Sequence, residues 1–295
     1  MHLTQKQAWN KQLIRYLAEQ VVHEPITSLE KLPGCGCHNY EVNHDRIIKL
    51  PITSTIWESW FRQAIVLPIV QSHVSVQIPR IKIETLEMPE KTSLIGISYR
   101  KIPGTFVPRT VFESYHRARK IRILEQVSDF LTNLHTIDCN QIKVHVPDYN
   151  DRNCPFWQGM DLKRKKLHTF ILKRLNTKVP PGSKNVLCHT DLHSENLCLQ
   201  GDKLTGVLDF DFLIRANPAT DFRPHLYAPK DMALLLEIHR HRSPDILDYE
   251  KIHRMRYFLS GFLTLAAVAR IPCIPGNICH KLALMKLKKE WEQSR

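Results

Sequence analysis

Apolar residues recur along this chain with two different periods, and the change from one to the other divides it. Near the start, Leu3, Trp9, Leu13, Leu17 and Val21 stand among polar residues, which predicts an amphipathic helix over residues 1–22. From there to about residue 100 the apolar runs are short and separated by turns. Residues 26–32, 40–42 and 47–50 read as strands, with a glycine turn after Pro33 and a polar turn over 43–46. A helix is expected over residues 54–70, capped by Thr53 and burying Ile56, Trp60, Ala64 and Leu67 on one face. Two more strands are expected over 74–85 and 93–99, with Pro79 marking an edge or a break in the first.

Beyond Ile102-Pro103-Gly104 the period becomes helical. Ile121, Leu124, Val127, Leu131 and Leu134 form a sustained stripe, and residues 162–175 predict a second, very basic helix. Helices are expected again over 231–239, 249–270 and 277–293. Two short strands interrupt them within 186–211, joined by the turn Gln200-Gly201-Asp202-Lys203. The pattern therefore predicts an α+β fold in two lobes. An N-terminal helix and small antiparallel sheet occupy residues 1–101, and a larger, mainly helical lobe occupies residues 102–295.

Composition narrows the class of protein. At 295 residues, 43% hydrophobic and 24% charged, the chain can bury a large core and has the make-up of a soluble protein. The longest apolar run, residues 257–269, is broken by Ser260, Gly261 and Thr264 and is too short to span a bilayer. The N-terminus does not read as a signal peptide. Eight cysteines show neither Cys-x-x-Cys pairs nor zinc-like spacing, and Cys188 and Cys198 sit in apolar runs as small hydrophobes would. Together these features point to a reducing, cytoplasmic location and no membrane partner.

The formal net charge is +13, with basic clusters at 117–122, 163–166, 239–242 and 281–289. Such charge admits nucleic acid, anionic lipid or a phosphorylated substrate as partner. The clusters fall on helices as solvated faces, and no aromatic residues are interleaved as a stacking platform would require, which disfavours nucleic acid.

The chemistry is concentrated in one stretch. An apolar run ends at His189, a polar loop carries Asp191 and Asn196, and a second apolar run delivers Asp209. His-x-Asp-x-x-x-x-Asn followed by Asp-Phe places a carboxylate and oxygen ligands where phosphoryl transfer needs a base and a magnesium site. His189 and His193 could suggest zinc, but no glutamate-containing signature accompanies them and the stretch reads as a loop. Upstream, Gly34 and Gly36 could let backbone approach phosphates, although alone they read as an ordinary tight turn. Lys49, on the strand that follows, is placed to reach the α and β phosphates of a nucleotide.

From about residue 25 to residue 231 the chain resembles the aminoglycoside phosphotransferase and choline kinase-like family, a branch of the protein-kinase-like fold. The resemblance is carried by residues 186–199, by 204–212, and by Asn217-Pro218-Ala219-Thr220-Asp221-Phe222. It implies Asp191 as catalytic base, Asn196 and Asp209 as Mg2+ ligands, His189 as a support of the loop, and Asp221 as the residue that fixes the loop. It also implies a hinge from Tyr99 to Gly104, whose backbone at Arg100 and Ile102 would bind the base of ATP (or GTP). No long activation loop fits between Asp209 and Asp221 and no Ala-Pro-Glu follows, so a small hydroxylated molecule is the expected acceptor rather than a protein.

Two departures qualify the resemblance. The family places an acid on the first N-lobe helix to pair with the strand lysine, whereas the spacing here puts Gln63 there. The nearest acid, Glu58, lies roughly 140° away around a helix. The basic chain also favours a neutral, zwitterionic or anionic acceptor over a polycation. The expected activity is transfer of the γ-phosphoryl of a nucleoside triphosphate to a hydroxyl. The alternative is a catalytically weak or idle kinase-like protein that binds a nucleotide or a partner.

Overall fold

The computed structural model of the protein describes residues 10–33, 37–52, 56–142, 145–147, 185–222 and 226–243. The expected helices over 162–175, 249–270 and 277–293, the Thr53 cap and the turn glycines Gly34 and Gly36 lie outside these residues. Helix α1 (Lys11–Val22) begins where Asn10 Oδ1 accepts the Leu13 N–H at 2.8 Å, and it ends at His23 in the left-handed region (φ 56°). It buries Ile14, Leu17, Ala18 and Val21, one face at helical spacing.

Strands β1 (Leu29–Leu32), β2 (Cys37–Val42), β3 (Arg46–Pro51), β4 (Lys82–Glu87) and β5 (Ser93–Arg100) form one antiparallel sheet in the order β1-β2-β3-β5-β4. The period of two divides its residues. Tyr40, Val42, Ile48, Leu50 and Leu94 pack with the buried face of α1. On the opposite face Cys37 and Ile97 pack with Trp60 of helix α2 (Trp57–Gln71). Lys49 lies opposite Asn39 on β2 and Ile97 on β5, so it shares this second face.

Residues 74–81 do not form the strand expected there. Gln77 alone is paired, through its N–H to the Thr205 carbonyl and its carbonyl to the Val207 N–H, each at 3.0 Å. Pro79, which has no N–H, stands two residues further on, and β4 begins only at Lys82. The buried face of α2 is also rotated from the expected one: Ser59, Trp60, Gln63, Val66, Leu67 and Val70 are buried. Two polar residues are buried because a carboxylate from the other half of the chain meets them, as described below. Phe61 and Ile65 are exposed instead.

Past β5 the chain crosses through Gly104, whose φ of +123° suits glycine and whose absent Cβ leaves room for the Thr205 hydroxyl. Strand β6 (Thr105–Phe106) pairs with β8 (Leu197–Gln200), which pairs with β9 (Lys203–Val207) through the expected turn. Strand β7 (Val186–Cys188) pairs with β10 (Ile214–Ala216). The region expected to hold two strands thus contributes three before Asp209, because β7 precedes the polar loop and finds its partner only beyond it.

Helices α3 (Arg109–Ser114), α4 (Arg117–Thr136), α5 (Cys139–Ile142) and α6 (Pro229–Arg242) complete the described part. The stripe on α4 is buried at Leu124, Val127, Leu131 and Leu134, in one core with Val66, Leu67 and Val70 of α2. An antiparallel-sheet half and a helical half make an α+β fold. No helix among the described residues is long and apolar enough to cross a membrane. The described cysteines Cys37, Cys139, Cys188 and Cys198 form no disulfide with one another, and burial pushes the Cys198 thiol up to about 11.

On α6, fully buried His239 meets Ser128 of α4 through Nδ1 at 2.9 Å. Burial, aided by nearby His135, lowers its pKa from 6.5 to about 3. The unfolded side chain therefore takes up a proton that the native one refuses, so stability is expected to fall as pH drops from 6.5 toward 3. The slope from this group reaches about 1.4 kcal/mol per pH unit. Urea titrations at several pH values should show that His239→Asn loses this part of the acid sensitivity.

Candidate active site

The loop after β7 is held from below. His189, fully buried, accepts the Asp191 N–H at Nδ1 (3.2 Å) and donates from Nε2 to the Leu208 carbonyl (2.9 Å). Those two bonds define a neutral tautomer, and burial lowers the pKa in agreement. Its ring lies 4.6 Å from that of Phe210. One side chain thus ties the residue bearing Asp191 to the segment bearing Asp209.

A second tie runs through Asp221, 1% exposed, in the short 3-10 turn Pro218–Asp221. Its Oδ1 accepts the Thr190 N–H at 2.6 Å, and its Oδ2 accepts from His135 Nε2 at 2.8 Å. Thr190 also donates its hydroxyl to the Phe212 carbonyl (2.9 Å). Both Thr190 (φ 70°) and Asp209 (φ 61°) hold left-handed backbone, a strain that surrounding bonds must sustain. His135, Cys188 and Asp221 bring potential metal-ligand atoms within 4.8 Å of one another. Asp221 is nevertheless committed to Thr190 and His135, and the Cys188 thiol points at the carbonyls of Val186, Ala216 and Asn217 (3.6–3.7 Å). This is a hydrogen-bonded core.

Above these ties a cavity of about 490 Å³ opens between the sheet and the loop. Lys49, Asp191, Asn196 and Asp209 all line it. Lys49 Nζ lies 3.9 Å from Asp209 Oδ1 and its side chain is 15% exposed. Burial pushes the lysine pKa down, but Asp209, Tyr99 and Asp211 outweigh it and hold the ammonium charged. Asn196 closes the one-turn 3-10 helix Ser194–Asn196 and donates its amide to the Asp191 carbonyl at 2.7 Å. That leaves its amide oxygen for another partner. Asp209 Oδ1 is buried without a hydrogen bond. A carboxylate oxygen without a hydrogen bond and an amide oxygen lining the same cavity are the kind of donors a hard cation such as Mg2+ takes.

Four further groups at the cavity were given no part in this centre from sequence, where His193 was weighed only as a zinc ligand and Tyr99 only as the start of the hinge. Tyr99 lines it near Lys49, and His193 places Nε2 3.7 Å from Asp191 Oδ2 and 3.2 Å from Asn196 Nδ2. Glu195 and Asp211 add carboxylates. His193 and Glu195 lie inside the loop motif and Asp211 two residues past Asp209, so proximity in sequence was the available signal. The lining is locally acidic around one lysine, in contrast to the +13 of the whole chain. Arg100, at the exposed end of β5, and Ile102, buried beyond it, do not line the cavity. Between them the Lys101 N–H is taken by the Asp45 carbonyl at 2.7 Å.

A small sheet and a helical half around a lysine, a His-x-Asp loop and a strand-end aspartate define a kinase-like phosphotransferase fold. The chain belongs to the phosphotransferase enzyme family, whose model matches residues 59–257. The fold is that of solved aminoglycoside and antibiotic kinases. A GDP complex of aminoglycoside 2'-phosphotransferase-IIIa is 17% identical, with a TM-score of 0.69 over 97% of this chain and 100% of that one. The amicoumacin kinase hAmiN in complex with AMP-PNP, Ca2+ and Ami is 14% identical, with a TM-score of 0.65 over 97% of this chain and 94% of that one. A macrolide 2'-phosphotransferase from Brachybacterium faecium is 17% identical, with a TM-score of 0.58 over 90% and 95%.

Asp221→Ala would strand two buried donors, the Thr190 N–H and His135 Nε2. Urea unfolding is expected to show a loss on the order of 3 kcal/mol or more.

Proposed function

We propose that this phosphotransferase moves the γ-phosphoryl of ATP or GTP onto a hydroxyl of a small molecule. The observation that carries this reading is the convergence of Lys49, Asp191, Asn196 and Asp209 on one cavity, from three separate parts of the chain. Asp191, its side chain 27% exposed, is the base: the acceptor oxygen forms the new bond to phosphorus as its proton passes to the carboxylate. The bond from phosphorus to the β-phosphate oxygen breaks, and the nucleoside diphosphate leaves. Lys49 holds the phosphates, and catalysis is positioning and charge stabilisation.

Asn196 and Asp209 would hold Mg2+, which would neutralise charge on the phosphate oxygens. Gly34 and Gly36 are assigned to the turn over the phosphates, and the backbone of Arg100 and Ile102 to the nucleotide base. The acceptors named for the three solved proteins, an aminoglycoside, a macrolide and amicoumacin, differ chemically on one fold. The acceptor is therefore selected by groups around the shared centre. The acidic lining gives no support to the neutral or anionic acceptor that the net charge suggested, because Asp191, Glu195, Asp209 and Asp211 set the local potential.

The idle reading rested on Gln63, which cannot neutralise Lys49. Its force is reduced by the two aspartates that act on the lysine instead.

Asp191→Ala is expected to abolish turnover, a loss of at least about a thousandfold, while nucleotide binding by calorimetry persists. Turnover near the wild-type level would remove Asp191 from its role. Asp209→Ala should weaken nucleotide binding in magnesium far more than in its absence. Equal affinities with and without magnesium in the wild type would contradict the metal assignment.

A further inference from the structure

Helix α2 offers Lys49 no acid. At the position facing the site, Gln63 Nε2 donates instead to Asp211 Oδ1 at 2.5 Å, with Ser59 Oγ 3.1 Å away. Ser59 Oγ in turn lies 3.0 Å from the Asp211 carbonyl oxygen and 3.3 Å from its Oδ1. Gln63 and Ser59 are 4% and 8% exposed, so each buried polar atom needs its partner. The carboxylate placed opposite Lys49 is that of Asp209, with Oδ1 at 3.9 Å, in the same segment after β9 as Asp211. A glutamate at position 63 would set a third carboxylate against Asp211 across a hydrogen-bond distance. Glutamine is therefore the complement of Asp211, and the pairing has its polarity reversed: the helix donates and the aspartate segment carries the charge.

We propose that Asp211 is a positioning residue of the transfer reaction, clamping α2 through Gln63 and Ser59 to the segment whose Asp209 lies 3.9 Å from Lys49. The inference rests on the phosphotransferase reading of the cavity. The clamp joins residues 148 positions apart, so it sets the sheet half against the loop half at the point where phosphates would lie. Glu58, one turn earlier and exposed, is left out of it.

A reciprocal exchange tests the clamp. Affinities for MgATP and MgGTP are measured by calorimetry in the wild type, Gln63→Glu, Asp211→Asn and the double variant, with urea unfolding of each metal-free protein alongside. Gln63→Glu alone opposes two carboxylates, and Asp211→Asn alone replaces the charged acceptor of the Gln63 amide by a neutral one and removes a negative charge from the segment beside Lys49. Each single change is expected to weaken nucleotide binding at least tenfold. The double variant, in which the residue 211 amide donates to the residue 63 carboxylate, is expected to recover at least tenfold over the weaker single and to unfold at higher urea. A double variant no better than Asp211→Asn overturns the inference and makes Asp211 a direct ligand of the cation. Coupling in urea with unchanged nucleotide affinity also overturns it, leaving a purely structural clamp. A wild type that binds neither nucleotide sinks the phosphotransferase reading and this inference with it, whereas binding without recovery sinks only the inference.

Discussion

The carboxylate of Asp221 is the constraint on which the site depends. A carboxyl side chain 1% exposed is tolerated only when its oxygens are matched by partners, and here the Thr190 N–H and His135 Nε2 provide them. Those partners belong to the polar loop and to the last turn of α4, so one side chain fixes the loop against the long helix. Thr190 is held at φ 70°, and the next residue, Asp191, is delivered into the cavity. His189 carries the constraint onward by joining the Asp191 N–H to the Leu208 carbonyl, immediately before Asp209. Loop and strand end are thus registered by hydrogen bonds to the His189 ring, which does not itself line the cavity.

The second determinant is electrostatic and local. The chain as a whole is strongly basic, yet among the described residues the cavity gathers four carboxylates around one lysine. Exposed charges on helical faces are screened over about 8–10 Å of saline solution, whereas partly buried neighbours such as Asp209 act on Lys49 directly. A net charge summed over the sequence is therefore a poor guide to the substrate. The same proximity explains how the lysine stays charged although burial opposes it and no acid comes from α2.

Much of the fold was legible because it follows from local periodicity. The stripe on α4, the alternation on β2 and β3, and the turn at Gly201 each appear in the sequence at the spacing the backbone imposes. The misreadings share a cause. Residues 74–81 look strand-like but find only one partner, at Gln77, and α2 turns a different face inward because Ser59 and Gln63 answer a charge 148 or more residues away. Strand content and helix orientation are settled by partners, which no single window contains.

The sequence by itself determined the α+β division and the loop that carries Asp191 and Asn196, followed at a short interval by Asp209, because spacing within a contiguous stretch survives folding. It did not determine what stands opposite Lys49, since that depends on which segments meet across the cleft. Tertiary structure alone decided that Asp221 holds Thr190 and His135, that Gln63 donates to Asp211, and that a basic chain has an acidic cavity. Hydrogen bonds and desolvated charges act over a few ångströms, and only the folded chain brings residues so far apart in sequence within that range.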